Sequence, residues 1–97
     1  MSNMKAELLL RERHQIAEEA FVAIRIWRVA QPVRGSRHDL KYSLAYVVSG
    51  LCVLRYDNEA GKGDHRHLGD REEPYQFSTP EALLTDFWND VDRWRPL

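Results

Sequence analysis

Between Phe21 and Val29 the side chains alternate in type. Val22, Ile24 and Ile26 fall on one side of an extended chain, and Phe21, Ala23, Arg25 and Trp27 on the other, which is the period of a β-strand. Two further apolar runs, Leu40 to Val48 and Leu51 to Asp57, are separated only by Ser49-Gly50. Glycine tolerates the positive φ of a two-residue turn, so these runs predict a β-hairpin. Counting back from the turn sets Val48 opposite Leu51, Leu44 opposite Arg55, Tyr42 opposite Asp57 and Lys41 opposite Asn58. In that register Tyr42, Arg55 and Asp57 share one face, and Lys41, Tyr56 and Asn58 the other. One extra residue would exchange the faces of one strand.

Lys5 to about Gln15 predicts a first strand, and Pro74 to Phe77 a short edge strand. Gln31 to Asp39, with Pro32, Gly35 and Ser36, reads as a loop. Ser78-Thr79-Pro80-Glu81 is a helix start: a hydroxyl caps free N–H groups, proline suits the first helical position, and an acid suits the dipole. Leu83, Leu84, Phe87, Trp88, Val91 and Trp94 then recur at helical spacing, with Asp86, Asn89, Asp90 and Arg93 opposite. The fold class expected is α+β: an antiparallel β-sheet of about five strands with a C-terminal α-helix packed on one face, a single domain over residues 1–97.

Composition narrows the picture little. The chain has 97 residues, 43% of them hydrophobic, enough for one core. A net charge of −1 excludes a global field for a polyanion, but the charges are unevenly spread. Residues 1–41 carry eight Lys/Arg against five Asp/Glu, and residues 79–97 two against four. The single Cys52 rules out an intrachain disulfide and a multi-cysteine zinc site; within its apolar run it reads as a packed thiol. Neither a signal peptide nor a membrane span is legible, so the expectation is a cytoplasmic protein with no membrane partner.

Candidate chemistry concentrates in Arg55-Tyr56-Asp57-Asn58-Glu59-Ala60-Gly61-Lys62-Gly63-Asp64-His65-Arg66-His67, which follows directly on the apolar run. His65 and His67 point the same way if extended, and two imidazoles can serve as general base and general acid. Such a pair suits RNA cleavage without a metal, with Lys41, Arg55, Lys62 or Arg66 stabilising the extra charge of the transition state. Asp57 can hold a histidine tautomer or orient Arg55. Arg37 and His38, in the loop before Lys41, can reach phosphate, and Gly61-Lys62-Gly63 can form an anion-binding nest. A metal site using His65 and His67 with Asp57, Glu59 or Asp64 and a solvated polar loop are the competing readings. Spacing alone leaves all three open.

Taken together, Lys41-Tyr42, Arg55-x-Asp57-Asn58 and His65-x-His67, with Trp27-Arg28-Val29 and Arg71-Glu72-Glu73-Pro74-Tyr75, resemble the TumE family of toxins from type II toxin–antitoxin systems. The resemblance implies a toxin whose partner is a cognate antitoxin, often a helix-turn-helix DNA-binding protein, and makes an endoribonuclease the natural activity. The family pattern falls on Lys41, Tyr42, Arg55, Asp57, Asn58, His65 and His67. The candidate catalytic set is therefore His65, His67, Arg55, Asp57, Lys41 and Tyr42; Lys62, Arg66, Arg37, His38 and Asn58 are candidates for binding RNA phosphate. The expectation includes no cofactor and no metal. A non-catalytic module that grips its antitoxin and a metal-dependent enzyme remain alternatives, and a homodimer through edge strands or the Trp27 face is a further option.

Overall fold

The computed structural model describes residues 6–94. Six strands run in chain order: β1 (Glu7–Ala17), β2 (Ala20–Arg28), β3 (Leu40–Val48), β4 (Leu51–Glu59), β5 (Gly63–Leu68) and β6 (Arg71–Pro74). They form one antiparallel sheet in the order β1-β2-β3-β4-β5-β6, and the helix α1 (Pro80–Arg93) follows. The α+β class and the covering helix match the sequence-based expectation. The strand count is six, not about five. The added element is β5, the His65-x-His67 segment itself, and β6 begins three residues earlier than the predicted edge strand. Lys5, where the first strand was expected to start, lies outside the described residues.

The helix seals one face. Val22, Ile24, Ile26, Leu40, Tyr42, Leu44, Tyr46, Leu54 and Tyr56 are buried there with Leu83, Phe87 and Val91 of α1. Thr79 is the N-cap, its side chain accepting from the Ala82 backbone N–H at 3.0 Å, and Pro80 opens the helix. Asp86 and Asp90, expected to face water, turn toward the sheet. Asp86 Oδ2 accepts from the Tyr75 hydroxyl at 2.6 Å, and Asp90 Oδ2 accepts from Arg66 Nη1 at 3.0 Å and from the Tyr56 hydroxyl.

The Ser49-Gly50 hairpin forms as predicted, with φ of 50° and 80°. Its register corrects the simple count. Val48 pairs with Leu51 and Val47 with Cys52, but Tyr46 pairs with Leu54, leaving Val53 as an extra residue in β4. Beyond this bulge Leu44 faces Tyr56 and Ser43 faces Asp57. Arg55 and Asp57 therefore share a face with Lys41, while Tyr42 shares the helix side with Tyr56 and Asn58. The same irregular stretch leaves Cys52 exposed, not packed.

Candidate active site on the open sheet face

The face away from α1 is uncovered, and the polar segment builds its site there. Antiparallel pairing sets Asp57 directly opposite His65, and Arg55 directly opposite His67. The β5–β6 hairpin sets His67 opposite Glu72. His65 is buried, with 5% of its side chain exposed; Asp57 is 18% exposed, His67 is half-buried and Glu72 is exposed. The two imidazole rings lie 5.0 Å apart, edge to face.

His65 has a defined tautomer. Its Nδ1 lies 3.0 Å from the Gly63 carbonyl oxygen. A carbonyl only accepts, so Nδ1 carries the hydrogen. Nε2 then sits 2.7 Å from Asp57 Oδ1 and 3.4 Å from Glu72 Oε2. The contact with Asp57 is not aligned as a hydrogen bond, and neither atom has another hydrogen-bond partner. Two buried polar atoms thus face each other without a hydrogen bond, an arrangement that a bound cation would satisfy. His67 Nε2 lies 3.5 Å from the same Glu72 oxygen.

Arg55 and Lys41 belong to this face and are exposed. Lys41 Nζ stands 5.9 Å from the centre of the Trp27 ring. Lys62, in the β4–β5 turn, reaches Glu72 Oε2 at 3.4 Å. A cleft of about 330 Å³ opens beside His65, lined by Lys62, Asp64, Glu72, Glu73 and Pro74.

The remaining candidates lie elsewhere. Asn58 and Tyr42 are buried on the helix side of the sheet, separated by its thickness from the histidines. The Asn58 side chain stitches β4 to β3: its Oδ1 accepts from Tyr42 N–H at 3.0 Å and its Nδ2 donates to Leu40 O at 2.7 Å. The Tyr42 hydroxyl donates to Asp64 Oδ2 at 2.7 Å. Asp64 also accepts from Ser36 Oγ at 2.6 Å and from His38 Nε2 at 2.7 Å. His38 Nδ1 accepts from the Leu40 N–H, so both its nitrogens are occupied, and its ring stacks on Phe77. This network anchors the 29–39 loop against the β4–β5 turn. Burial alone would raise the Asp64 pKa, but the donated hydrogen bonds from Ser36, His38 and Tyr42 outweigh it and hold the carboxyl below its ordinary value. The Tyr42 phenol is pushed up, first by burial and then by its bond to Asp64. Arg66 is on the helix side as well, held by Glu73 at 2.5 Å and Asp90 at 3.0 Å. Arg37 is exposed at the rim of a second cleft, about 470 Å³, that also includes His38, Lys62 and Asp64.

Neither Glu72 nor Ser36 is among the site residues nominated from the sequence. Glu72 was within reach: Gly69-Asp70 reads as a two-residue turn, and a hairpin there brings Glu72 opposite His67. Ser36 had no such signal, because a loop side chain finds its partners only through tertiary folding.

A meander sheet has one face sealed by a helix and the other left open around a His–Asp–His cluster. The chain matches the family described as Toxin TumE over residues 5–95, and it belongs to that family. It is thus a toxin of a toxin–antitoxin system, with an antitoxin as its partner. No curated protein and no solved structure matches it. Among the described residues no helix is long and apolar enough to cross a membrane.

Proposed function

We propose that this toxin cleaves RNA by acid/base chemistry at Asp57, His65 and His67. The carrying observation is that pairing of β4 with β5 gathers all three on the uncovered face, with Arg55 directly opposite His67. His67, the more open imidazole, takes the proton of a 2′-hydroxyl. O2′ then attacks the adjacent phosphorus and the bond from phosphorus to the 5′-oxygen breaks. His65 Nε2, which must leave its buried contact with Asp57 to reach the substrate, gives a proton to that oxygen. The products are a 2′,3′-cyclic phosphate and a 5′-hydroxyl. Arg55 faces the charge that develops on the phosphorane. Tyr42, Asn58, His38 and Asp64 hold the 29–39 loop and the β4–β5 turn in place and act through position. The test is expression of wild type, His65→Ala and His67→Ala with mapping of cellular RNA ends. New 5′-hydroxyl ends and growth arrest are expected from wild type alone. Equal toxicity of all three without new ends overturns the reading.

One observation favours a second reading, a divalent metal. Ligand atoms of Asp57, His65 and His67 all lie within 4.8 Å of one another, and the unaligned contact between His65 Nε2 and Asp57 Oδ1 is one that a cation would satisfy. Elemental analysis of purified protein and cleavage assays with a chelator separate the two. Acid/base catalysis survives chelation, and a metal-dependent reaction does not.

A further inference from the structure

The open face continues beyond the histidines as a cationic trough that the reaction itself does not use. Cross-strand pairing lines up one row: Arg11 on β1 faces Arg25 on β2, Arg25 faces Ser43 on β3, Ser43 faces Asp57 on β4, and Asp57 faces His65 on β5. A neighbouring row runs Arg13, Ala23, Ala45, Arg55, His67. The floor between the cations is thus Ala23, Ser43 and Ala45, all small side chains. On the flank Trp27 faces Lys41, and a depression of about 200 Å³ is lined by Leu8, Arg11, Arg25 and Trp27.

Two features make this face unlike ordinary mixed surface. Arg11 and Arg25 are exposed and directly opposite each other, an arrangement of like charges that costs stability in a sheet. And none of Arg11, Arg13, Arg25, Lys41 and Arg55 has a carboxylate at ion-pair distance among the described residues, so five cations gather on one face without a counter-charge, Arg13 lying over the Phe21 ring. Unneutralised cations beside a half-exposed tryptophan, on a floor too low to obstruct a chain, fit a polyanion with flat aromatic groups.

We propose that single-stranded RNA lies across this face from β1 to β5, its phosphates on Arg11, Arg25 and Lys41 and one base stacked on Trp27. This rests on the RNA-cleaving reading and extends it: the trough delivers the strand to His65 and His67. Four strand-to-strand steps of about 4.8 Å give a path of about 19 Å, the span of a few nucleotides. Single strands suit the site better than duplex, because stacking on Trp27 needs an unpaired base.

The test is fluorescence anisotropy of the full chain with a labelled 2′-O-methyl oligonucleotide, which binds but has no 2′-hydroxyl to react. Wild type binds it, and the same sequence as a duplex binds more weakly. R11A/R25A weakens binding at least about tenfold and flattens the salt dependence by about 1.4 in log–log slope, two phosphate contacts' worth for a single strand. W27A weakens it by about five- to a hundredfold, the range of one lost stack. R28A, an ion-paired arginine off the face, leaves it within about twofold. R11A/R25A also melts no lower than wild type, because it removes a repulsion, so loss of binding is not loss of fold. Wild-type affinity in R11A/R25A overturns the proposal, and so does wild type that does not bind. If that variant keeps RNA but loses the antitoxin, the face is an acidic-protein surface instead. Cleavage is a separate readout: H65A/H67A that binds but still cuts sinks the reaction and spares the trough.

Discussion

Arg66 Nη1 and Asp90 Oδ2 lie 3.0 Å apart, tying β5 to the helix from behind the histidines. Arg66 is flanked in sequence by His65 and His67, so strand alternation sends its side chain to the helix while theirs face the open side. Glu73 and the Tyr56 hydroxyl complete its partners. The strand that carries the proposed chemistry is clamped through the residue between the two reacting groups.

Arg66→Ala should therefore destabilise the fold by about 2–3 kcal/mol, because it leaves Asp90 and Glu73 half-buried without their cation. Arg66→Lys should recover part of this, since one ammonium cannot reproduce the forked contacts. Urea denaturation of the three proteins checks the order. An Arg66→Ala protein as stable as wild type would show that the clamp is energetically idle.

Asn58 offers a sharper case. Its amide makes three hydrogen bonds in a site with 2% exposure, to Tyr42 N–H, Leu40 O and Ser36 Oγ. Asn58→Ala leaves a cavity and strands the Tyr42 N–H, at a cost of about 2–4 kcal/mol. If Asn58 instead contacted RNA directly, the substitution would weaken RNA binding with little effect on stability. Denaturation and anisotropy on the same sample distinguish these.

Glycine positions give a paired prediction. A Cβ on Gly63 would meet Gly35 O at 2.7 Å, and φ there is +76°. A Cβ on Gly50 meets nothing, at φ +80°. Gly50→Ala should cost only the left-handed backbone, about 1 kcal/mol, whereas Gly63→Ala must also push the 29–39 loop off the β4–β5 turn. Thermal melts should rank Gly63→Ala well below Gly50→Ala. Gly63→Ala should also reduce toxicity, because the Gly63 carbonyl sets the His65 tautomer.

Much of this architecture was legible, and the illegible parts share a cause. The β3–β4 hairpin and α1 announce themselves through residues whose backbone chemistry is local, Ser49-Gly50 and Thr79-Pro80. The bulge at Val53 carries no such marker: neither glycine nor proline is there, and its effect is to exchange the faces of Arg55, Tyr56 and Asp57. β5 escaped because Leu68, at its end, is its one large apolar side chain. One face carries Asp64 and Arg66 before Leu68, and the other bears His65 and His67, so no hydrophobic alternation marks the strand. Hence the histidines and Asp57 could be nominated from the sequence, and alternation already set Asn58 on the face opposite Asp57, but the separation of Tyr42 from Asp57 could not be read.

The pH dependence of stability follows from Asp64. Its carboxyl is held below the ordinary value in the folded protein by donors from Ser36, His38 and Tyr42. A depressed folded pKa contributes stability above the unfolded pKa, about 3.9, and loses it as pH falls through the folded value. Wild type should therefore be stabilised by this group at pH 7 and lose that contribution below about pH 4. Asp64→Asn removes the charge and turns one acceptor into a donor facing other donors, which should cost on the order of 1–3 kcal/mol at pH 7. The gap between variant and wild type should then narrow on acidification. Urea midpoints of both proteins at pH 7 and near pH 3 check this. A gap that stays constant across that range would mean that the carboxylate charge of Asp64 does not hold the loop against the β4–β5 turn.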